Sequence, residues 1–268
     1  MKRSLMRIVT AALVSLFLFA CTHAPITGRS QLSLVSGSEM LSMSQSEYKK
    51  FMASAKPSSR AADTAMVKRV GARIQAAVET WYRQNNMAAE LKSYAWEFNL
   101  VEGKDVNAWC MPGGKVVVYE GLLPVSRDEA GLAVVMGHEI AHAVANHGGE
   151  RMSQQLLVQM GGTALSVALK DKPKQTQSIW LSAFGIGATV GAILPYSRLH
   201  ESEADRLGLI FMAMAGYDPH AATDFWQRMA KMKQGAAPPQ ILSTHPSDAN
   251  RINDINKHMA EAMKYYKP

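Results

Sequence analysis

Two histidines four residues apart, His138 and His142, lie inside a run of almost wholly apolar residues. On an α-helix, residues at this spacing differ by about 40° of rotation, so both imidazoles project from one face. A buried polar pair needs a partner, because burying unpaired polar groups costs free energy. Two imidazoles satisfy half of a tetrahedral zinc shell, and Glu139 is then placed to act as general base. The motif predicts a helix over 130–145 that carries a hydrolytic zinc site.

A second helix start offers the carboxylates that such a site needs. Glu201 and Asp205 are again four residues apart and share one helix face. Glu201 can complete a set of two histidines and one glutamate, and Asp205 can accept a hydrogen bond from the far nitrogen of a ligand histidine. Glu203 points elsewhere and is expected to be solvated or ion-paired. The alternative is an ordinary acidic helix start, which the helix dipole favours; beside the paired histidines we prefer the metal site.

Other polar residues near these motifs are expected to have different roles. Arg198 either pairs with an acid behind the metal or neutralises a developing oxyanion. His147 lies about 140° around the helix from His142, so it is expected to be a polar residue at the helix end rather than a ligand. His200 is expected to face away from the site. Cys110 is expected to be a packed, inert thiol.

Helical periodicity dominates the chain, with one interruption. Residues 94–100 alternate and residues 115–119 are β-branched and aromatic, with a Pro-Gly-Gly turn signal between them. These two runs predict a small sheet beside the catalytic helix, and therefore an α+β, predominantly helical fold class. The strand at 115–119 is further expected to pair with an extended peptide substrate. Further helices are predicted over residues 38–54, 63–82, 150–169, 199–215, 219–233 and 247–265.

One apolar run, residues 179–194, raises the question of a membrane span. The run is short and rich in glycine, and a proline follows it at once. A buried hairpin helix is therefore the preferred interpretation.

The first 20 residues have the layout of a signal peptide. A positive segment with Lys2, Arg3 and Arg7 precedes a mostly apolar stretch of about 12 residues. That stretch is too short to span a bilayer comfortably, although a permanent N-terminal anchor helix is the alternative. Removal of the three basic residues would leave 26 Lys and Arg against 22 Asp and Glu. So mild a charge argues against nucleic acid as a partner.

The residues at the end of this segment, Leu-Phe-Ala-Cys21, resemble a bacterial lipobox. Lipid on Cys21 would tether the chain to a membrane and leave Cys110 without a disulfide partner. Thr22, after the cysteine, favours the outer membrane, facing the periplasm. The predicted organisation is a signal peptide over 1–20, a lipid-attached tether with a short helix over 21–60, and a zinc metallopeptidase domain over 61–268.

Several motifs occur together in an order that resembles the gluzincin metallopeptidases of the BepA/LoiP type, relatives of HtpX and of the CAAX prenyl endopeptidase. The resemblance covers about residues 65–262 and is closest to the shorter lipoprotein members. It implies a minimal zincin-like fold, Zn²⁺ as cofactor and Glu201 as the third zinc ligand. The matching pieces are Asn107-Ala108, Pro112-Gly113-Gly114, His138-Glu139-Ile140-Ala141-His142, Ser197-Arg198, Glu201 with Ala204-Asp205, Gly216-Tyr217-Asp218-Pro219 and Thr244-His245-Pro246.

The resemblance also singles out His245. In related lipoprotein and periplasmic members, a histidine in this context approaches the zinc and can occupy the open position, which holds the enzyme off. In other relatives the same histidine is thought to steady the transition state. A turn histidine before a helix capped at Ser247 is the alternative.

These features predict a membrane-tethered zinc metalloendopeptidase of the bacterial cell envelope. The resemblance suggests damaged, unfolded or misassembled envelope proteins as substrates. Two other classes remain open: a zinc-holding, chaperone-like binding module whose site His245 closes, and a metal-free lipoprotein scaffold. A closed set of four protein ligands is what distinguishes structural from catalytic zinc.

Overall fold

The computed structural model describes the chain in five segments, the first of which begins at residue 21. The predictions of a signal peptide over 1–20 and of a hairpin helix over 179–194 lie outside the described residues. Those residues are 21–24, 27–160, 197–233, 239–245 and 250–267.

Within these residues, short strands form two groups along the chain, a pair before the first two helices and three more after them. The strands are β1 (Cys21–His23), β2 (Ser30–Leu32), β3 (Glu97–Val101), β4 (Ala108–Met111) and β5 (Lys115–Tyr119). The helices are α1 (Gly37–Ser54), α2 (Ala61–Gln84), α3 (Leu123–Ser126), α4 (Glu129–Val144), α5 (His147–Met160), α6 (Arg198–Met214), α7 (Ala221–Lys233), α8 (Ile241–Thr244) and α9 (Arg251–Ala262).

Helix α4 lies at the centre of the main core and matches the helix predicted over 130–145. Asp128 caps its first turn, where the carboxylate accepts a hydrogen bond from the Gly131 N–H at 2.8 Å. Every residue from Gly131 to Val144 is buried, which is why the sequence is apolar around the whole helix. The helix ends before Asn146, whose φ of 55° turns the chain directly into α5.

Helix α6 packs against α4 at very close range. Ser197 caps α6 by accepting a hydrogen bond from the His200 N–H at 3.2 Å. At the crossing, a Cβ added to Gly137 would lie 3.0 Å from the carbonyl oxygen of Gly208, and one added to Gly208 would lie 3.0 Å from the backbone nitrogen of His138. The two helix backbones are therefore in direct contact at this crossing, with no side chain between them.

The predicted sheet forms, but with a third strand and a different role for β5. Its order is β3-β5-β4, with β3 parallel and β4 antiparallel to β5. The interpretation of residues 115–119 as a substrate-binding edge is wrong, because both edges of this strand are already paired. Strand β4, one of the two edge strands, was missed: its four residues are all buried, so no alternation marks it.

The N-terminal segment packs on the other face of this sheet. Helix α1 begins with a capping box, in which Ser36 and Glu39 cap each other's backbone N–H groups. Its buried Met40 and Tyr48 join a second apolar cluster together with Trp109 of β4. The stretch predicted as tether and polar helix therefore contributes to the packed core.

The α+β, predominantly helical class is confirmed, as is the small sheet beside the helix that bears the paired histidines. In the described parts of the chain, no helix combines the length and the apolar character that crossing a bilayer requires.

Candidate metal centre

Four side chains converge on one point in the buried interior. His138 and His142 come from α4, Glu201 from the first turn of α6, and His245 from the residue after α8. Each offers one ligand atom, and these atoms all lie within 4.8 Å of one another. All four residues are at most 4% exposed. The structure thus brings together the residues that the two motifs and the Thr-His-Pro context singled out.

The distances among these atoms fit a small tetrahedral site. His138 Nε2 lies 3.1 Å from His142 Nε2 and 3.2 Å from His245 Nδ1. Glu201 Oε1 lies 2.9 Å from His245 Nδ1 and 3.4 Å from His142 Nε2. Zinc bonds of about 2.0–2.1 Å place neighbouring ligands roughly 3.3 Å apart, so the donor set matches Zn²⁺ in spacing and in chemistry.

The protonation states of two of these groups suit metal binding. Burial holds the pKa of His142 well below its usual value, so the imidazole is neutral and keeps a free lone pair. Burial alone would raise the pKa of Glu201, but His245 and Arg251 outweigh burial and hold that pKa well below its ordinary value. A neutral imidazole and an ionised carboxylate are the forms that bind a cation.

Glu139 lies beside the cluster and is nearly free of hydrogen bonds. Its Oε1 accepts none from the described part of the chain, and it lies 3.4 Å from His245 Nε2. Burial raises the pKa of this carboxyl above its usual value. A buried carboxylate with a raised pKa can take up and release a proton closer to neutral pH than an ordinary glutamate can.

An ion pair supports the cluster from behind. Asp205 Oδ1 lies 2.9 Å from His138 Nδ1, the ring nitrogen that faces away from the cluster. Arg251 donates to both oxygens of Asp205, at 2.9 and 2.7 Å, and to Glu201 Oε2 at 2.9 Å. Its guanidinium also lies over the ring of Trp226, 3.4 Å from the centroid. Arg251 was missed by the sequence analysis, because nothing in its local pattern separates it from other helical arginines.

Arg198 lies at the surface beside this ion pair. It is the first residue of α6 and is exposed, and it lines a cavity with Glu201, Asp205 and Arg251. Both roles expected for Arg198 stay predictions, while Arg251 pairs with the acids behind the cluster.

Two polar residues that were expected to have minor roles, His147 and Glu203, form a buried group on the far side of His142. His147, at the first turn of α5, is fully buried and contacts the His142 ring. Burial lowers the pKa of His147 to about 4. Glu203 is ion-paired rather than solvated, and although burial alone would raise its pKa, hydrogen bonds from His147, Thr27 and Arg29 lower it to about 2. No local pattern indicates this group, since its members come from separate segments of the chain.

Cys110 takes no part in the site chemistry. It is a free, buried thiol, and burial raises its pKa well above the ordinary value. Such a thiol is unreactive, which agrees with the expectation for this residue.

Glu150 is expected to make a pH-dependent contribution to the stability of the fold. Burial alone would raise its pKa, but hydrogen bonds from His200 and Arg29 lower it to about 2, against roughly 4.3 in an unfolded chain. The group therefore stabilises the fold above about pH 4 and loses this effect as the pH falls towards 2. We expect Glu150→Gln to lower the free energy of unfolding most at neutral pH, with a difference that shrinks below about pH 4. Urea unfolding of the metal-free proteins across this range measures the difference; a constant difference would contradict the assignment.

Comparison with known proteins gives consistent matches across the described site. A model of the family described as Peptidase family M48 matches residues 68–259. The mitochondrial metalloendopeptidase OMA1 of Bos taurus is 33% identical over 256 residues, which are 92% of this chain and 48% of that protein.

Two further relatives show the same pattern. The mitochondrial metalloendopeptidase OMA1 of Schizosaccharomyces pombe is 39% identical over 169 residues, 62% of this chain and 48% of that protein. The beta-barrel assembly-enhancing protease of Yersinia pestis is 33% identical over 173 residues, 63% of this chain and 35% of that protein. The chain thus spans about half the length, or less, of these curated relatives.

Proposed function

Since the chain belongs to peptidase family M48, we propose that it is a zinc metalloendopeptidase that hydrolyses internal peptide bonds of protein substrates. Membership of this family confirms the family that the ordered motifs predicted. The observation that carries the proposal is the convergence of His138, His142, Glu201 and His245 on one point with the spacing of zinc ligands.

In the proposed site His138, His142 and Glu201 would hold the zinc ion, and His245 is placed to offer a fourth ligand atom. Bound zinc would supply positive charge that polarises the scissile carbonyl and acidifies water. Asp205 accepts a hydrogen bond from His138 Nδ1 and so directs the lone pair of Nε2 into the site.

Glu139 is assigned the proton transfer. As a water oxygen bonds to the carbonyl carbon, the Glu139 carboxylate takes the proton that the water releases. The same carboxyl then delivers this proton to the amide nitrogen as the carbon–nitrogen bond breaks. Its raised pKa and its lack of a hydrogen-bond donor to Oε1 among the described residues leave it ready for this exchange. Arg198 and His245 are the candidates for a group that steadies the oxyanion. Arg198 lines the cavity beside Glu201, and His245 Nε2 lies 3.4 Å from Glu139.

The finer part of the proposal concerns place and substrate. We propose that the chain is tethered by lipid on Cys21 to a bacterial envelope membrane, the outer membrane facing the periplasm, and acts on damaged or misassembled envelope proteins. The lipobox-like residues support the tether. The name of the Yersinia relative, which refers to β-barrel assembly, supports an envelope substrate, while the relatives named OMA1 are mitochondrial.

The proposal is tested with the purified chain and unfolded casein. We expect cleavage that EDTA abolishes and that added zinc restores. Mass spectrometry of the products should show cuts within the chain rather than at its ends. A protein that binds zinc but cleaves no casein would contradict the proposal and favour the chaperone-like binding module.

The position of His245 gives that alternative its structural basis, and it also gives a prediction. His245 lies as close to His138 and Glu201 as a fourth ligand would, so it competes with substrate for the open position. We expect His245→Ala to raise casein cleavage several-fold, because the position is then open. The measurement is the initial rate with zinc in excess.

A matched change at an exposed histidine, His220→Ala, controls for the substitution itself. If His245→Ala lowers the rate instead, the histidine assists the reaction rather than closing the site. If neither the wild type nor this variant cleaves casein, the zinc serves binding or structure.

A further inference from the structure

His142 is supported on its far side by a chain of polar contacts that the proposed mechanism does not use. Its Nε2 faces the ligand cluster, while its Nδ1 lies 2.9 Å from Nδ1 of His147. The other nitrogen of His147, Nε2, lies 3.0 Å from Glu203 Oε2. His142, His147 and Glu203 are all buried, so these contacts are shielded from water.

The hydrogen-bonding capacity of imidazole fixes the direction of this chain of contacts. If His142 Nε2 offers a lone pair to the metal, its Nδ1 carries the proton and donates to His147 Nδ1. His147 Nδ1 must then be the acceptor, so His147 Nε2 carries a proton and donates to Glu203. The chain of donors ends on a carboxylate. It therefore selects the ring orientation and the tautomer in which His142 can bind a metal.

An arginine from the N-terminal segment holds this arrangement in place. Arg29 donates from Nε to Glu203 Oε2 at 2.8 Å, and from Nη1 and Nη2 to the two oxygens of Glu150 at 3.0 and 2.7 Å. The Thr27 hydroxyl also donates to Glu203. Glu150 lies 2.9 Å from His200 Nε2, and the His200 ring stacks on the ring of His147, with centroids 4.7 Å apart.

The two ligand histidines are therefore held in different ways, one by a direct contact with a carboxylate and the other through a second histidine. Asp205 contacts His138 directly and comes from α6, in the middle of the core. Glu203 contacts His147, which in turn contacts His142, and Glu203 is itself held by Arg29, which precedes the short strand β2. Arg29 lies only eight residues after Cys21, the residue that we propose carries the lipid.

We propose that His147 and Glu203 are positioning residues for the His142 zinc ligand, and that Arg29 holds them in place from the N-terminal segment. This inference rests on the proposed zinc site. It predicts that the affinity for zinc depends on a residue outside the catalytic helices and outside residues 68–259, the part of the chain that the family model matches.

The test measures zinc affinity by competition with a chromophoric chelator, using the full chain. We expect Arg29→Met and Glu203→Gln each to raise the dissociation constant for zinc by about 10–100-fold. The spectrum of the cobalt-substituted protein should also change, because the geometry at His142 relaxes. Arg69→Met is the matched control: it also breaks an arginine–glutamate pair, with Glu129, but far from His142, and it should leave the dissociation constant unchanged.

The outcomes separate this inference from the proposed function. A wild-type chain that binds no zinc removes the proposed function itself. If the wild type binds zinc and cleaves casein, but Arg29→Met binds zinc within twofold of the wild type, the positioning role is wrong. A purely structural role would lower the melting temperature of the metal-free variant and leave the affinity unchanged. Should Glu203→Gln not fold, Arg29→Met decides alone, since the Arg29 side chain is less buried than that of Glu203.

Discussion

Replacing Glu139 with Gln will lower the rate of casein cleavage by a factor of about 10²–10⁴ while the chain keeps its zinc. The amide has nearly the same shape as the carboxylate, but it cannot accept the proton that the attacking water releases. Zinc content should not change, because the ligand atoms belong to His138, His142, Glu201 and His245. The measurements are the initial rate of cleavage and the metal content of the same preparation.

Glu102→Gln is the matched control for this prediction. It makes the same chemical change at a partly exposed position, where the side chain pairs with Lys56. This variant should cleave casein at the wild-type rate. Proteolysis retained by Glu139→Gln in a preparation free of other proteases would rule out Glu139 as the general base.

The second large effect is expected at Arg251. Methionine at this position would leave the carboxylates of Asp205 and Glu201 buried without the cation that they share. Removing one partner of a buried ion pair costs about 3–5 kcal/mol. We expect Arg251→Met to lower the free energy of unfolding of the metal-free protein by this amount. With zinc present the loss should be smaller, because Glu201 then has another cation beside it.

Arg206→Met provides the comparison for Arg251. Arg206 also forms a bidentate ion pair with a glutamate, Glu261, but both side chains are about one-third exposed. A pair in contact with water contributes at most about 1 kcal/mol. Urea unfolding with EDTA and with zinc measures both variants. If Arg251→Met loses no more stability than Arg206→Met, the buried ion pair does not support the site as we describe.

Helical spacing made much of the site predictable. Residues four apart on a helix share a face, and this rule alone placed His138 with His142 and Glu201 with Asp205. The structure brings the two pairs together. This was expected, because buried polar side chains on an otherwise apolar helix need polar partners. The position of His245 beside them could not be worked out from spacing, and it was suggested by the family resemblance alone.

The contacts that the sequence did not predict depend on distances between segments. Arg251 follows the glutamate that it contacts by fifty residues, and Arg29 precedes Glu203 by even more. Rotation around a helix predicts that His147 is not a ligand, but it assumes one continuous helix, whereas α4 ends at Val144 and His147 begins α5. Rotation also could not show that the far nitrogen of His142 turns towards His147, because that depends on the turn at Asn146.

Strand β4 and helix α1 illustrate the same limit for the fold. A strand buried on both faces shows no alternation, so the sequence does not predict β4, and β5 is expected at an edge although it is the central strand. Helix α1 was expected where it occurs, yet its packing on the sheet was not, since few of its residues are apolar.

The contact between Gly137 and Gly208 bears on how the site selects its ion. Because main chain touches main chain at this crossing, the distance between the backbones of α4 and α6 is set by atoms that have no alternative rotamers. A larger ion could then be accommodated only by the ligand side chains or by moving the helices apart. The close packing of the two helices at these glycines therefore favours metal–ligand bonds of about 2.0–2.1 Å, as in zinc sites, over the longer bonds of calcium.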